Sequence, residues 1–526
     1  MLQLSKNDFH GVKISFNKEK IHVFLITLIT SIIVHFPLYT LAITGPDTLI
    51  NSMYHQADIW EVMLLRFGLY FVQIVKGNIV SPVLVTLISS ILLGITVLLV
   101  LDILEIQNKY FKYITAIVFA VAPNISATLT FFYCSDAYIL GMLLATLAVF
   151  MIRKYKDKKW IIIVSGLLIA IAMGIYQTYL SVTMVLCIST LIVDSINKTN
   201  IKQILITLFK YILMGILGIL FFYLLSHFIL LIKHLPISGY SGANTIGLNT
   251  LLQLPELLPE AYQSFFSYYF NDNMIPNTVW NTNILYIVVF AITLLSIIYI
   301  VIKNKVYEKN LNLILTIIFI IIAPICFGII EIIVPNVDIH ILMACSMILI
   351  FPLFFKILEL LPKNAFSNSL KYIIVFCSLG IIWNYTWQDN ASYIAMKSMQ
   401  NQTEATLSRI VTRIEELDGY TKEMPVLFLG GLENNMYLNR DNTLIEAKKI
   451  YDRTWGFISN SSTIWWGNLD SYRKMLYAYE GVNMNLVSEW ESTEIFQTEE
   501  YKNMKYYPDK DSIKIIHNIV VVKLSD

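Results

Sequence analysis

Charge is what this chain has least of. Asp, Glu, Lys and Arg make up 14% of its 526 residues, against about a quarter in soluble domains, and that scarcity excludes an ordinary water-soluble globule. The 38 basic and 37 acidic side chains leave a formal net charge of +1, so no excess of one sign exists to attract nucleic acid or an acidic partner. Five cysteines, Cys134, Cys187, Cys326, Cys345 and Cys377, all sit in apolar runs without CxxC spacing. A disulfide framework and a cysteine zinc site are excluded on that pattern. No GxGxxG, no P-loop and no paired nucleophile and base stand out, so nothing supports nucleotide use. No small-residue cleavage signal follows Lys18-Glu19-Lys20, and the first apolar run reads as an uncleaved span. Internal repeats and low-complexity tails are absent too.

What is present is apolar length. With 56% apolar residues and a mean hydropathy of +0.63, the chain reads as a mainly α-helical polytopic membrane protein. Runs of the ~20 residues that a spanning helix needs fall near 21–44, 79–103, 112–133, 136–152, 160–176, 179–195, 204–232, 282–302, 311–333, 339–361 and 371–388, about eleven transmembrane helices. The third and fourth are interrupted by Pro123-Asn124, which reads as a surface loop or a deep re-entrant turn. Basic residues cluster in alternate loops, as in Arg153 to Lys159, Lys303 to Lys309, and the turns with Lys109, Lys198, Lys202 and Lys363. By the positive-inside rule these are cytoplasmic, which puts the N-terminus inside and the C-terminal tail outside. From about Asn390 apolar runs shorten and charge returns. Residues 1–389 then form the membrane domain, with outward loops 45–78 and 233–280, and residues 390–526 a small extracytoplasmic α/β domain. Its strands are expected at Met424 to Gly431 and in the pair SIKIIHN and IVVVKLS, and its helices over Ser398 to Leu417, Leu469 to Tyr479 and Glu491 to Lys502.

The first outward loop holds most of the candidate chemistry. Asp47 ends the first span, either as a boundary residue or as a catalytic carboxylate, and Asp58 and Glu61 follow it. Ionised oxygens in a partly dry pocket suit general-base work or a divalent cation. From Asp58 to Lys76, Trp60, Met63, Leu64, Phe67, Phe71 and Val75 recur at helical spacing, which predicts one interfacial amphipathic helix. Arg66, Tyr70 and Gln73 share a second stripe, where the guanidinium fork either snorkels to lipid or meets the phosphate of a lipid-linked donor. Asp136 begins the fourth span as a functional acid or a helix N-cap, with Tyr138 beside it as a sugar-contacting candidate. Gln177, in the turn Tyr176 to Tyr179, offers an amide for a sugar or belongs with an aromatic belt. Lys233 and His234 end the seventh span and suit a phosphate leaving group. Tyr240, in the mobile SGYSG loop, belongs to a lid or to a plain connector. Asp338 and His340 add a further outward acid and imidazole, and Trp455, Trp465, Trp466, Tyr472 and Arg453 form either a sugar-stacking surface or aromatic core.

An early Asp in the first outward loop, the LLRFGLYFV stretch entering the second span, the YQTYLSV turn and the SGYSG loop together resemble the bacterial Gtr-type glucosyltransferases, the family that includes serotype-converting enzymes. The likeness covers roughly the first 390 residues. Where that family shows paired acids in the first loop and a Gly-Arg before the second span, this chain has a single Asp47 after Pro46 and the order Leu65-Arg66-Phe67-Gly68. The resemblance implies a GT-C-like enzyme that takes a hexose, often glucose, from a polyprenyl-phosphate donor. The acceptor would be a surface polysaccharide or a teichoic-acid-like polymer. Asp47 would serve as base, Asp136 or Asp58 as a second acid, and Arg66 with Lys233 and Gln73 as the donor-phosphate site. A transporter for a lipid-linked glycan is the alternative, and it predicts symmetry-related broken helices.

Overall fold

The computed structural model describes residues 18–41, 59–76, 81–239, 253–271, 280–308, 310–335, 339–430, 473 and 476–525. Helices α1 (Lys18–Val34) and α2 (Phe36–Thr40) precede two short helices of the first loop, α3 (Ile59–Met63) and α4 (Phe67–Lys76). A helical body follows: α5 (Pro82–Ile103), α6 (Lys109–Val121), α7 (Pro123–Leu129), α8 (Ser135–Lys154), α9 (Trp160–Ile175), α10 (Tyr179–Ile196) and α11 (Ile201–Lys233). Its second half comprises α12 (Leu254–Phe270), α13 (Thr282–Lys303), α14 (Asn310–Phe327), α15 (Ile330–Ile333), a 3-10 stretch Ile341–Leu349 that runs into α16 (Ile350–Glu359), and α17 (Ala365–Glu415).

Among the described residues eight helices are long and apolar enough to cross a membrane, and the α6–α7 pair, bent by 44°, makes a ninth. The first and fifth apolar runs form shorter helices, α1 of 17 residues and α9 of 16. Each apolar run of the sequence thus lies on a helix, and the chain is a membrane protein. The bend follows from Pro123, which cannot donate to the helix before it. The whole stretch from Ala122 to Tyr138 is buried rather than a surface loop.

Polar residues tie the bundle together at both ends. At one end, where the lysine-bearing turns gather, Asn108, Asn200 and Asn364 cap α6, α11 and α17 by accepting from Tyr110, Lys202 and Ser367 backbone N–H groups. Ion pairs Lys20–Asp102 (2.5 Å), Lys112–Glu19 (3.0 Å) and Arg153–Asp194 (2.6 Å) link neighbouring helices there. The Glu359 carboxylate accepts from the backbone N–H groups of Gln107 and Asn108. At the opposite end the 3-10 stretch is kinked at Ala344 (φ −86°, ψ 27°). Carbonyls freed inside an apolar body need internal donors. The Asn124 amide supplies them, donating to Ile341 O (3.1 Å) and Ala344 O (2.8 Å) while its own oxygen accepts from the Tyr268 hydroxyl (2.6 Å).

Helix α17 runs unbroken for 51 residues, straight through the compositional shift near Asn390. Beyond it lie β1 (Pro425–Leu429), β2 (Asn485–Leu486), a short helix α18 (Glu499–Lys502), β3 (Ile513–Ile516) and β4 (Ile519–Lys523). They form one four-stranded sheet in the order β2-β1-β4-β3, with β1 parallel to both neighbours and β3–β4 an antiparallel hairpin. Leu407, Ile410, Val411 and Ile414 of α17 pack on Val426, Phe428, Val520 and Val522 of the sheet, so the strands read from the sequence close a small α/β core on the last helix. Leu469 to Tyr472 lie outside the described residues, and the stretch expected as the Glu491 to Lys502 helix is split between 3-10 turns and α18.

Two glycines set how closely the elements around the first loop approach. A Cβ on Gly68 would stand 2.9 Å from the Gly174 backbone, and one on Gly174 would stand 2.4 Å from the Phe67 ring. Helix α4 therefore lies directly across the end of α9. Gly174→Val is expected to force Phe67 out and lower stability by about 1–3 kcal/mol, with Gly174→Ala costing less; thermal unfolding of the purified protein in detergent measures both.

Candidate functional site

The site grows from the shortness of α9. At 1.5 Å per residue its 16 residues rise about 24 Å, short of the ~30 Å apolar core, and α4 lies over the gap. The sequence pattern predicts one helix from Asp58 to Lys76, yet it is broken between Met63 and Phe67. Leu65 adopts the left-handed region (φ 62°), which costs a non-glycine residue about 1–2 kcal/mol. The turn is held by Arg66 N–H donating to Glu61 O (2.8 Å) and by the Gln177 amide donating to Leu64 O (2.9 Å). Gln177 thus serves a backbone carbonyl of the first loop.

The break splits the expected faces. Phe67, Gly68, Leu69 and Gln73 turn inward, while Phe71, Ile74 and Val75 are exposed along α4, Val75 at 88%. Arg66 leaves the stripe it was expected to share with Tyr70 and Gln73, because it precedes α4 and its guanidinium lies 4.6 Å over the Tyr176 ring. Tyr176 in turn stacks on Tyr138 at 5.3 Å. The Arg66 Nε is buried without a hydrogen-bond partner among the described residues. A guanidinium stays charged at any physiological pH, so this cation retains an unfilled donor in a largely apolar recess. Tyr70 associates instead with the end of α11, accepting from Lys233 Nζ (3.0 Å), which also sits 5.1 Å over its ring. The chain after α11 joins the same cluster where Ser238 N–H donates to Met63 O (2.9 Å).

Asp136 stands in the first turn of α8, two residues past Cys134, which occupies the cap position. It is therefore not the N-cap. Lys76, the last residue of α4, binds Asp136 Oδ1 at 2.8 Å and donates to Tyr133 O at the same distance. With both side chains mostly buried, this pair closes α4 onto α8 and places Asp136 as a partner for Lys76. Arg66, Tyr176, Tyr138, Lys76 and Asp136 thus belong to one recess, with Lys233 at its α11 side.

Asp47, Asp58, Tyr240 and Asp338, and the aromatic group from Arg453 to Tyr472, lie outside the described residues. The divalent-cation reading rests on Asp47, Asp58 and Glu61, of which Glu61 alone is described. Among the described residues no three His, Cys, Asp or Glu side chains gather as a metal site. Glu331, in the short helix α15, is half-buried.

The sequence reading passed over a second buried group. Asp389 of α17 is 1% exposed and keeps Oδ2 without a partner among the described residues. Nearby, His35 is held between the Tyr393 hydroxyl and Ala120 O, each at 2.7 Å. The signal for Asp389 was the one used for Asp136, an acid at the end of an apolar run, in TWQDN.

Removing one member of a buried ion pair strands the other, at about 3–5 kcal/mol. Lys76→Met is expected to cost at least ~3 kcal/mol by thermal unfolding, whereas Lys76→Met/Asp136→Leu recovers half or more of that loss. A double variant no more stable than the single would remove the pair as the clamp of α4.

No curated protein and no solved structure matches the chain. A family model described as "Glucosyl transferase GtrII" does, over residues 47–351. That match covers more than half of the 526 residues and spans the recess from Arg66 to Lys233. The chain belongs to the GtrII glucosyl transferase family.

Proposed function

We propose that this glycosyltransferase moves a hexose, glucose by its family, from a polyprenyl-phosphate donor to a glycan on the outer side of the cytoplasmic membrane. The observation that carries the reading is Arg66, a stacked guanidinium with an unfilled donor, seated behind a helix whose other face is apolar and exposed. A donor whose lipid tail stays in the bilayer would approach past Phe71, Ile74 and Val75. Its phosphate would meet the half-buried Arg66, with Lys233 more exposed at the edge of the site, and a cation counts for most where water is partly excluded.

In the step so read, Asp47 takes the proton of the acceptor hydroxyl as that oxygen bonds to the sugar's anomeric carbon. The bond from that carbon to the phosphate oxygen breaks with its electron pair, and polyprenyl phosphate leaves with the added negative charge. Arg66 balances that charge, with Lys233 as the second cation. Asp136, neutralised by Lys76, shapes the recess rather than taking the proton. Tyr138, Gln73 and Gln177 line or brace it, and Tyr240 and Asp58 are assigned to the covering loops. The lysine-bearing turns are then cytoplasmic, and the sheet beyond α17 faces outward.

Asp47→Asn is expected to lower transfer by about 100-fold or more, the range for loss of a general base. Arg66→Ala should lose about 100-fold, with Arg66→Lys partly active. The measurement is hexose content of the envelope glycan at matched protein levels. Full activity of Asp47→Asn would overturn the base assignment. Accumulation of whole polymer inside cells lacking the protein, in place of one missing hexose branch, would point to transport.

A further inference from the structure

Helices α9 and α11 touch closely at one level and part below it. A Cβ on Gly166 would lie 2.9 Å from Leu217 Cβ, and one on Gly218 would lie 2.7 Å from Ile169, so small residues let the two backbones meet there. From that crossing toward the lysine-rich end a crevice of about 940 Å³ opens between them. Its walls are Ile162, Ile163, Leu205, Ile206, Phe209 and Leu213, and its mouth carries Lys159, Lys202 and Lys210. No acidic side chain lines it. Lys210 donates to the Lys156 carbonyl, and none of the three lysines has a carboxylate partner among the described residues. Ile163, Leu205, Ile206 and Phe209 are exposed, as walls that face lipid rather than protein would be.

A crevice in the wall of a membrane bundle is filled by whatever apolar chains surround it, while three unneutralised ammonium groups at its mouth select the headgroup. Basic pockets between spanning helices take anionic lipid headgroups for this reason. We infer that the α9–α11 crevice is a binding site for an anionic phospholipid of the adjoining leaflet. The acyl chains lie between Ile162, Ile206, Phe209 and Leu213, with the phosphate against Lys159, Lys202 and Lys210. The site lies at the end of the bundle remote from Arg66 and is independent of the transfer chemistry.

The full chain in detergent, titrated with phosphatidylglycerol or phosphatidylcholine and read by native mass spectrometry, tests this. Retention of phosphatidylglycerol is expected at low salt, with weak retention of phosphatidylcholine. Lys159→Gln/Lys202→Gln/Lys210→Gln should reduce the preference by up to roughly 100-fold, as for three lysine–anion contacts. Ile163→Trp/Ile206→Trp, which crowds the path of the acyl chains and leaves every lysine, should cut retention sharply as well, and this variant decides alone if the triple one fails to fold. Equal retention of the two lipids, an unchanged preference in the triple variant, or displacement of the lipid by soluble glycerol phosphate would each overturn the assignment.

Discussion

The recess around Arg66 depends on one ion pair. Lys76 at the end of α4 and Asp136 at the start of α8 are the attachment that holds a helix of ten residues across the end of a span too short to fill its own column. That attachment is the ion pair of α4, and it adds to the Lys233 contact with Tyr70 farther up the helix. With it, Gly68 seats against Gly174, Phe67 fills the space above α9, and the preceding turn is forced into the left-handed geometry at Leu65. Arg66 reaches Tyr176 because the chain is pinned on both sides of it, by Lys76 after and by the Gln177 contact to Leu64 before.

The two ends of the bundle solve different problems. The lysine-rich end uses asparagine caps and ion pairs between neighbouring helices, groups that water can partly solvate. The opposite end is broken by Pro123 and by the Ala344 kink, where backbone carbonyls lose their helical donors. Asn124 and Tyr269 supply replacements, the latter through Met347 O at 2.7 Å, and Tyr268 holds the Asn124 side chain in place by donating to its amide oxygen. Irregular backbone inside an apolar body is tolerated only where such donors exist, and it is here that the buried Asp389, the His35–Tyr393 bond and the root of the first loop meet.

The helices were legible because each is an apolar run, and the sheet because β1, β3 and β4 are short apolar runs closed by turn residues. The recess was legible only as a set of residue types. Arg66 and Lys233 could be named as cations near a phosphate, but nothing local in Leu64-Leu65-Arg66 signals a break: no glycine or proline is there, and the turn is imposed by Gln177 more than a hundred residues on. Asp136 could be read as a functional acid or as a cap, and its partner, 60 positions earlier, gave no local signal. Charge returning after Asn390 suggested a change of element, yet charge on a helix that leaves the apolar body changes its solvent and not its hydrogen bonding, so α17 continues.

That continuity makes α17 a lever. Its 51 residues span about 77 Å, with one part among the apolar helices and the far end locked to the sheet by Leu407, Ile410 and Ile414. A tilt of about 5° at its origin would carry the far end sideways by about 7 Å. The orientation of the sheet is thus geared to the packing of the last apolar segment through one continuous helix.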